Sequence, residues 1–104
     1  MRALLVLTST ATPKQARDLA EILLKKKAAA CVSFGGKFES HYRWKGKYER
    51  TGETMLFVKT IPEKYPTVEK LIKKHHPYEN PEVLAFPAKK GSKAYLSWMA
   101  KSLQ

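Results

Sequence analysis

The spacing of apolar residues along this chain switches between continuous runs, strict alternation and helical recurrence, and each switch marks an element. Arg2-Ala3-Leu4-Leu5-Val6-Leu7-Thr8 is a near-continuous apolar run of strand length, the pattern of a strand covered on both faces. Thr12-Pro13-Lys14-Gln15 opens a helix: Thr12 caps, Pro13 presets φ at the first helical position, and Gln15 completes a capping box. Ala16, Leu19, Ala20, Leu23 and Leu24 recur at helical spacing, with Lys14, Arg17, Asp18 and Glu21 outside, and predict a helix to about Lys27. Ala28-Ala29-Ala30-Cys31-Val32-Ser33-Phe34 follows with no turn signal, and its small residues predict a strand packed closely on that helix. Gly35-Gly36 marks a bulge or bend. Beyond it Phe38, Ser40, Tyr42 and Trp44 alternate with Glu39, His41, Arg43 and Lys45, a half-exposed strand.

Lys45-Gly46-Lys47 predicts a hairpin turn in which Gly46 takes positive φ. The return strand runs from about Tyr48 to Thr60, with Met55-Leu56-Phe57-Val58 as its buried part. Arms this long exceed the usual strand of about 5–6 residues and would overhang a small domain. Tyr42 and Trp44 near the tip then suit contact with another subunit, because large aromatics are enriched in interface cores. Thr60-Ile61-Pro62-Glu63 predicts a second capping box, and Tyr65, Val68, Leu71, Ile72 and His75 form the inward face of a helix that Pro77 ends at or before His76. Pro66 is tolerable there only if the first turn is irregular. Residues Glu82 to Phe86 form a fourth strand closed by Pro87, and Ser92 caps a last helix carrying Ala94, Tyr95, Trp98, Met99 and Leu103, with Tyr95 and Trp98 expected in the core. The order β-α-β-β-α-β plus a C-terminal helix predicts one α+β domain over residues 1–104, a ferredoxin-like sandwich with both crossover helices on one face. The opposite face is apolar too, and a homo-oligomer is the economical cover for it.

Composition adds limits. At 104 residues with 43% hydrophobic and 28% charged residues, the chain can bury a core without staples. Its apolar runs are far shorter than a membrane span, so no membrane partner is expected, and the start Met1-Arg2-Ala3-Leu4 lacks the h-region of a signal peptide. A lone cysteine, Cys31, excludes an intrachain disulfide and fits a cytoplasmic location; without a basic neighbour in sequence it is expected buried rather than nucleophilic. The net charge of +11 raises the question of nucleic acid. The lysines, however, are scattered, and several sit at element ends where the helix dipole favours them. An RNA-binding module shares this element order. Thr54-Met55-Leu56-Phe57-Val58-Lys59 lacks its aromatic run, so RNA binding stands as the alternative beside a purely structural or partner-binding trimer.

The densest chemistry lies in Lys73-Lys74-His75-His76-Pro77-Tyr78-Glu79-Asn80-Pro81-Glu82, which also describes a helix C-terminus running into a strand. Imidazoles suit copper, zinc or nickel, with copper(II) highest in the affinity series. Adjacent helical residues point about 100° apart, so His75 and His76 cannot converge on one ion while both are helical. If the helix breaks at Pro77, His76 is freed to meet Glu79, Glu82 or a group of another subunit. No nucleophile, phosphate loop or CxxC accompanies them, so no enzyme activity is expected.

Five segments together suggest a family: Ala29-Ala30-Cys31-Val32, Ser40-His41-Tyr42-Arg43-Trp44-Lys45-Gly46-Lys47, Lys59-Thr60, His76-Pro77-Tyr78-Glu79-Asn80-Pro81-Glu82 and Tyr95-Leu96-Ser97-Trp98. In order and spacing, over nearly the whole chain, they resemble the CutA divalent-cation (copper) tolerance proteins. The resemblance implies a cytoplasmic homotrimer related in architecture to the PII signalling proteins, with copper(II) or another divalent cation as ligand. It implies metal ligands at His75 and His76, with Glu79 beside them, while Thr8 stands where members with proposed copper sites carry a cysteine. It also implies a metal ion or small ligand in a cleft between subunits lined by Tyr42, Trp44, Lys59, Tyr78 and Glu82, joined by His76 and Trp98. Tyr42 and Trp44 equally suit trimer packing, and Lys59 equally suits pairing with Glu82 or the nearby helix start.

Overall fold

A computed structural model describes residues 2–104, and Met1 lies outside the described residues. The elements are β1 (Ala3–Thr10), α1 (Pro13–Lys25), β2 (Cys31–Trp44), β3 (Lys47–Thr60), a short 3-10 turn (Pro62–Lys64), α2 (Tyr65–His75), β4 (Leu84–Ala88) and α3 (Lys93–Ser102). The four strands form one antiparallel sheet in the order β2-β3-β1-β4, which is the ferredoxin-like arrangement expected from the element order.

Local chemistry explains each boundary. The Thr12 hydroxyl accepts from the Gln15 amide at 3.2 Å, while the Gln15 side chain accepts from the Ala11 amide, one residue before a reciprocal capping box would place it. α1 stops at Lys25 because Lys27 turns left-handed at φ 55°. The Lys27 amide donates to the Leu24 carbonyl and the Ala28 amide to the Leu23 carbonyl, a Schellman end closed by lysine where glycine is usual. The missing glycine is why this turn left no mark in the sequence. The expected second capping box does not form. Thr60 stays in β3, and its hydroxyl donates to the Ala28 carbonyl at 2.6 Å, so it is not free to cap. Irregularity arises instead from the 3-10 turn, which lets Pro66 sit in the first turn of α2. β4 starts two residues later than expected and includes Pro87, which an edge strand tolerates because one side of its backbone needs no ladder partner.

The hairpin is long, with arms of 14 residues each and a two-residue turn. Lys45 and Gly46 both take positive φ (53° and 79°), the signature of a type I′ turn. Between Gly35 and Phe38 the register slips, so Gly36 and Lys37 face the single residue Thr54, a bulge. Gly36 is required there: at φ 79° a Cβ would also stand 2.4 Å from the Phe38 ring. The overhanging hairpin stretches the chain to 45 Å along its longest axis, with a radius of gyration of 14.3 Å. A compact domain of this size would have about 13 Å.

One sheet face carries the core. Val6, Leu56 and Val58 from the strands meet Ala16, Leu19 and Leu23 of α1 and Val68 and Ile72 of α2, so both crossover helices lie on that face. His75, expected on the inward side, is exposed one turn beyond Ile72. The other face pairs Leu5 with Phe86, and Leu7 with Leu84 and Phe57. α3 covers only its end, burying Met99 and Leu103 on Ala3 and Ala30. Tyr95 and Trp98 are therefore not core. They stand beside the stripe α3 buries, 42% and 47% exposed, with their rings 5.4 Å apart.

Candidate functional site

Where β1 ends, β3 enters the hairpin and the α2–β4 connection crosses, polar side chains of three segments converge. Pro77 cannot continue α2, so His76 leaves the helix with extended backbone (φ −81°, ψ 136°) and turns inward, 8% exposed. Its Nδ1 accepts from the Tyr78 amide at 3.1 Å, so the ring proton is on Nε2, which donates to the Ser9 carbonyl at 2.5 Å. The imidazole is thus a brace between β1 and the α2–β4 connection. Its ring lies 4.7 Å from that of Tyr78.

Glu53 of β3 is the hub of the cluster. Its Oε2 accepts from the Ser9 hydroxyl at 2.9 Å and from the Tyr78 hydroxyl at 3.4 Å. Burial raises the Tyr78 phenol above its ordinary value, and the Glu53 charge, the Glu53 hydrogen bond and Tyr42 push it the same way. Burial likewise raises the Glu82 carboxyl, with the Glu53 charge adding to it. Tyr42, Tyr78 and Glu82 therefore share one electrostatic neighbourhood organised by Glu53. Sequence reasoning missed Glu53 and Ser9. The available signal was alternation: Glu53 lies opposite Phe38 and on the same face as Met55 and Phe57, a carboxylate beside three large apolar side chains.

The remaining expected cleft residues stand apart. Trp44 lies two residues beyond Tyr42 on the same hairpin face, with the Lys45 ammonium 5.7 Å from its ring. Lys59 is six residues from Glu53 along β3, roughly 20 Å at strand rise. It pairs with neither Glu82 nor a helix start; its Nζ stands 4.0 Å from the Cys31 sulfur. Cys31 is accordingly half-buried beside a basic group rather than buried without one, because Cys31 and Lys59 are directly opposite in the β2–β3 register.

A metal ion needs a nitrogen lone pair that its hydrogen-bond partner can release, and His76 has none: the Tyr78 amide proton on Nδ1 is fixed in the backbone and the Ser9 carbonyl holds the proton on Nε2. Glu79 points elsewhere, 4.0 Å from Lys45 at the hairpin tip. His75, His76 and Glu79 are thus not gathered into one ligand set, and among the described residues no three His, Cys, Asp or Glu side chains form a metal-holding group. His75 instead lines a cleft of about 330 Å³ between α1 and α2, together with Asp18, Gln15 and Thr10. Thr8, at the position where a cysteine ligand was considered, is fully buried on the helix face.

The family model described as CutA1 divalent ion tolerance protein matches residues 4–102. A Yersinia pestis (strain Pestoides F) protein described as divalent-cation tolerance protein CutA is 39% identical over 101 residues, spanning 97% of this chain and 85% of that one. Solved structures agree. The "Periplasmic divalent cation tolerance protein CutA" from Archaeoglobus fulgidus superposes with a TM-score of 0.94 at 31% identity, covering 98% of this chain and 99% of that one. CutA from Synechococcus elongatus PCC7942 gives 0.93 at 33% identity over 99% and 91%.

Proposed function

The chain belongs to the CutA1 divalent ion tolerance protein family, and on that premise we propose that it is a cytoplasmic, PII-like homotrimer that binds copper(II) or another divalent cation at its subunit interfaces and has no catalysis of its own. The observation that carries the reading is the uncovered apolar sheet face ending at the Glu53 cluster. Leu84, Phe86 and Phe57 are 51%, 47% and 39% exposed on it, with Tyr95 and Trp98 at its margin. A contiguous apolar surface of this kind favours association. Cyclic closure of three copies would bury it while the hairpins lie across neighbours. Tyr42 and Trp44 share the hairpin face of Glu53, and Tyr42 already neighbours Tyr78, so a second copy laid on this face would close a cleft for a small ligand or cation.

An RNA platform is a weaker reading, because the exposed Phe57 continues through Leu7 to Leu84 as an apolar row across the sheet, which suits a protein interface better than base stacking. Of the imidazoles in the α2–β4 segment, His75 is the one whose nitrogens are not consumed by the fold, so cation binding there falls to His75 with ligands from a neighbouring copy. Two measurements test the reading. Solution mass should be three times the 11.9 kDa chain. Calorimetry with copper(II) should show a micromolar or tighter site that His75→Ala weakens; a monomeric mass, or no heat above buffer, overturns it.

A further inference from the structure

On the face of the hairpin turned away from Glu53, a second imidazole is arranged differently from His76. Glu39 and His41 are two residues apart on β2 and so share a face, with roughly 6.6 Å between their Cα atoms. Their side chains already converge: His41 Nε2 lies 2.7 Å from Glu39 Oε2. The other ring nitrogen, Nδ1, is hydrogen-bonded to the Tyr48 hydroxyl on the facing strand. His41 and Glu39 are both exposed, at 43% and 64% of their side-chain surface.

We propose that Glu39 and His41 form a second divalent-cation site on the outer face of the hairpin, with Tyr48 as its positioning residue. This rests on the reading of the chain as a cation binder and adds a site to it. An imidazole nitrogen and a carboxylate oxygen facing one another across a single hydrogen bond are a two-donor chelate in which an ion replaces the shared proton. The displaced Nε2 proton passes through water to Nδ1. As Nε2 takes the ion, Nδ1 carries the proton and donates it to the Tyr48 oxygen, whose own hydrogen turns to solvent. A second group holding the non-ligating nitrogen is the usual means of orienting a metal-bound histidine.

Two protein donors leave the remaining positions to water, which suits the tetragonal N,O preference of copper(II). Long-range attraction does not help: Arg50 stands opposite His41 and Arg43 opposite Tyr48. Affinity must therefore come from direct bonds. The site should discriminate for imidazole-preferring ions and ignore magnesium and calcium, which take oxygen cages. Glu39, His41 and Tyr48 lie on the opposite hairpin face from Tyr42 and Trp44, so covering the apolar face in a trimer leaves them open to solvent.

The test is copper(II) titration of the whole protein, followed by calorimetry and by copper EPR for nitrogen hyperfine coupling. Wild type should show binding in excess of that left in His41→Ala. His41→Ala and Glu39→Gln should each weaken the hairpin site at least tenfold, and His75→Ala should leave it intact. Tyr48→Phe should weaken it about tenfold while keeping the single-imidazole EPR signature, in line with the loss of an outer-shell partner. Binding that is unchanged in His41→Ala overturns the hairpin site but not the family reading. No copper binding in wild type overturns both.

Discussion

Thr8 and Thr60 are the same residue type, on neighbouring strands, at the same 0% exposure, and they should respond in opposite directions to the same substitution. The Thr8 hydroxyl is the one buried side-chain polar atom without a hydrogen-bond partner among the described residues. The Thr60 hydroxyl donates to the Ala28 carbonyl. An unpaired buried hydroxyl costs about 1–3 kcal/mol, and valine keeps the branched shape while replacing the hydroxyl with a methyl. Thr8→Val should therefore stabilise the protein by about 1–3 kcal/mol, and Thr60→Val, which strips the Ala28 carbonyl of its donor, should cost a similar amount. With an m-value of roughly 2 kcal/mol/M, the urea midpoint moves by about 0.5–1.5 M, upward for the first and downward for the second. Both must be measured at one protein concentration, since association adds to apparent stability. A destabilised Thr8→Val, or shifts of the same sign in both variants, refutes the reasoning.

Two further outcomes follow from the same structure. Lys27→Gly should raise stability by about 0.5–1 kcal/mol in urea unfolding, the relief of a left-handed lysine less the extra chain entropy of glycine, and a loss would mean the Lys27 contact with the Gln104 carbonyl matters more than φ. Glu82 has its carboxyl raised by burial and then by Glu53, so the fold favours the neutral acid; that contribution is whole below the ordinary value of 4.5 and is lost as pH rises through the raised folded value. Glu82→Gln should accordingly unfold at higher urea than wild type at pH 7 and converge with it near pH 4, and a gap independent of pH would refute the assignment.

Where one segment's chemistry decides its own shape, the chain was legible. Thr12 and Ser92 cap because each hydroxyl reaches an amide three residues on. Gly36 and Gly46 mark a bulge and a turn because positive φ is cheap only there. The helical recurrence of Leu19, Leu23, Val68 and Ile72 named the core. Thr60 misled because a strand neighbour, the Ala28 carbonyl, competed for the hydroxyl that a cap would use. Tyr95 and Trp98 misled because helical spacing reports one face and not whether anything lies over it.

The candidate site divides along the same line. From the sequence alone came the element order, the long hairpin, the histidine pair broken by Pro77 and the likeness to a cation-tolerance family. Only the folded structure decided which imidazole keeps a free lone pair: His76 spends its Nδ1 on the Tyr78 amide while the Ser9 carbonyl, 67 residues away, holds its proton on Nε2. It also brought Glu53 to Ser9, Tyr78 and Glu82: alternation puts that carboxylate on the sheet face but does not name its partners. Hydrogen-bond partners and desolvation are properties of distance in space, and along the chain those distances are not written.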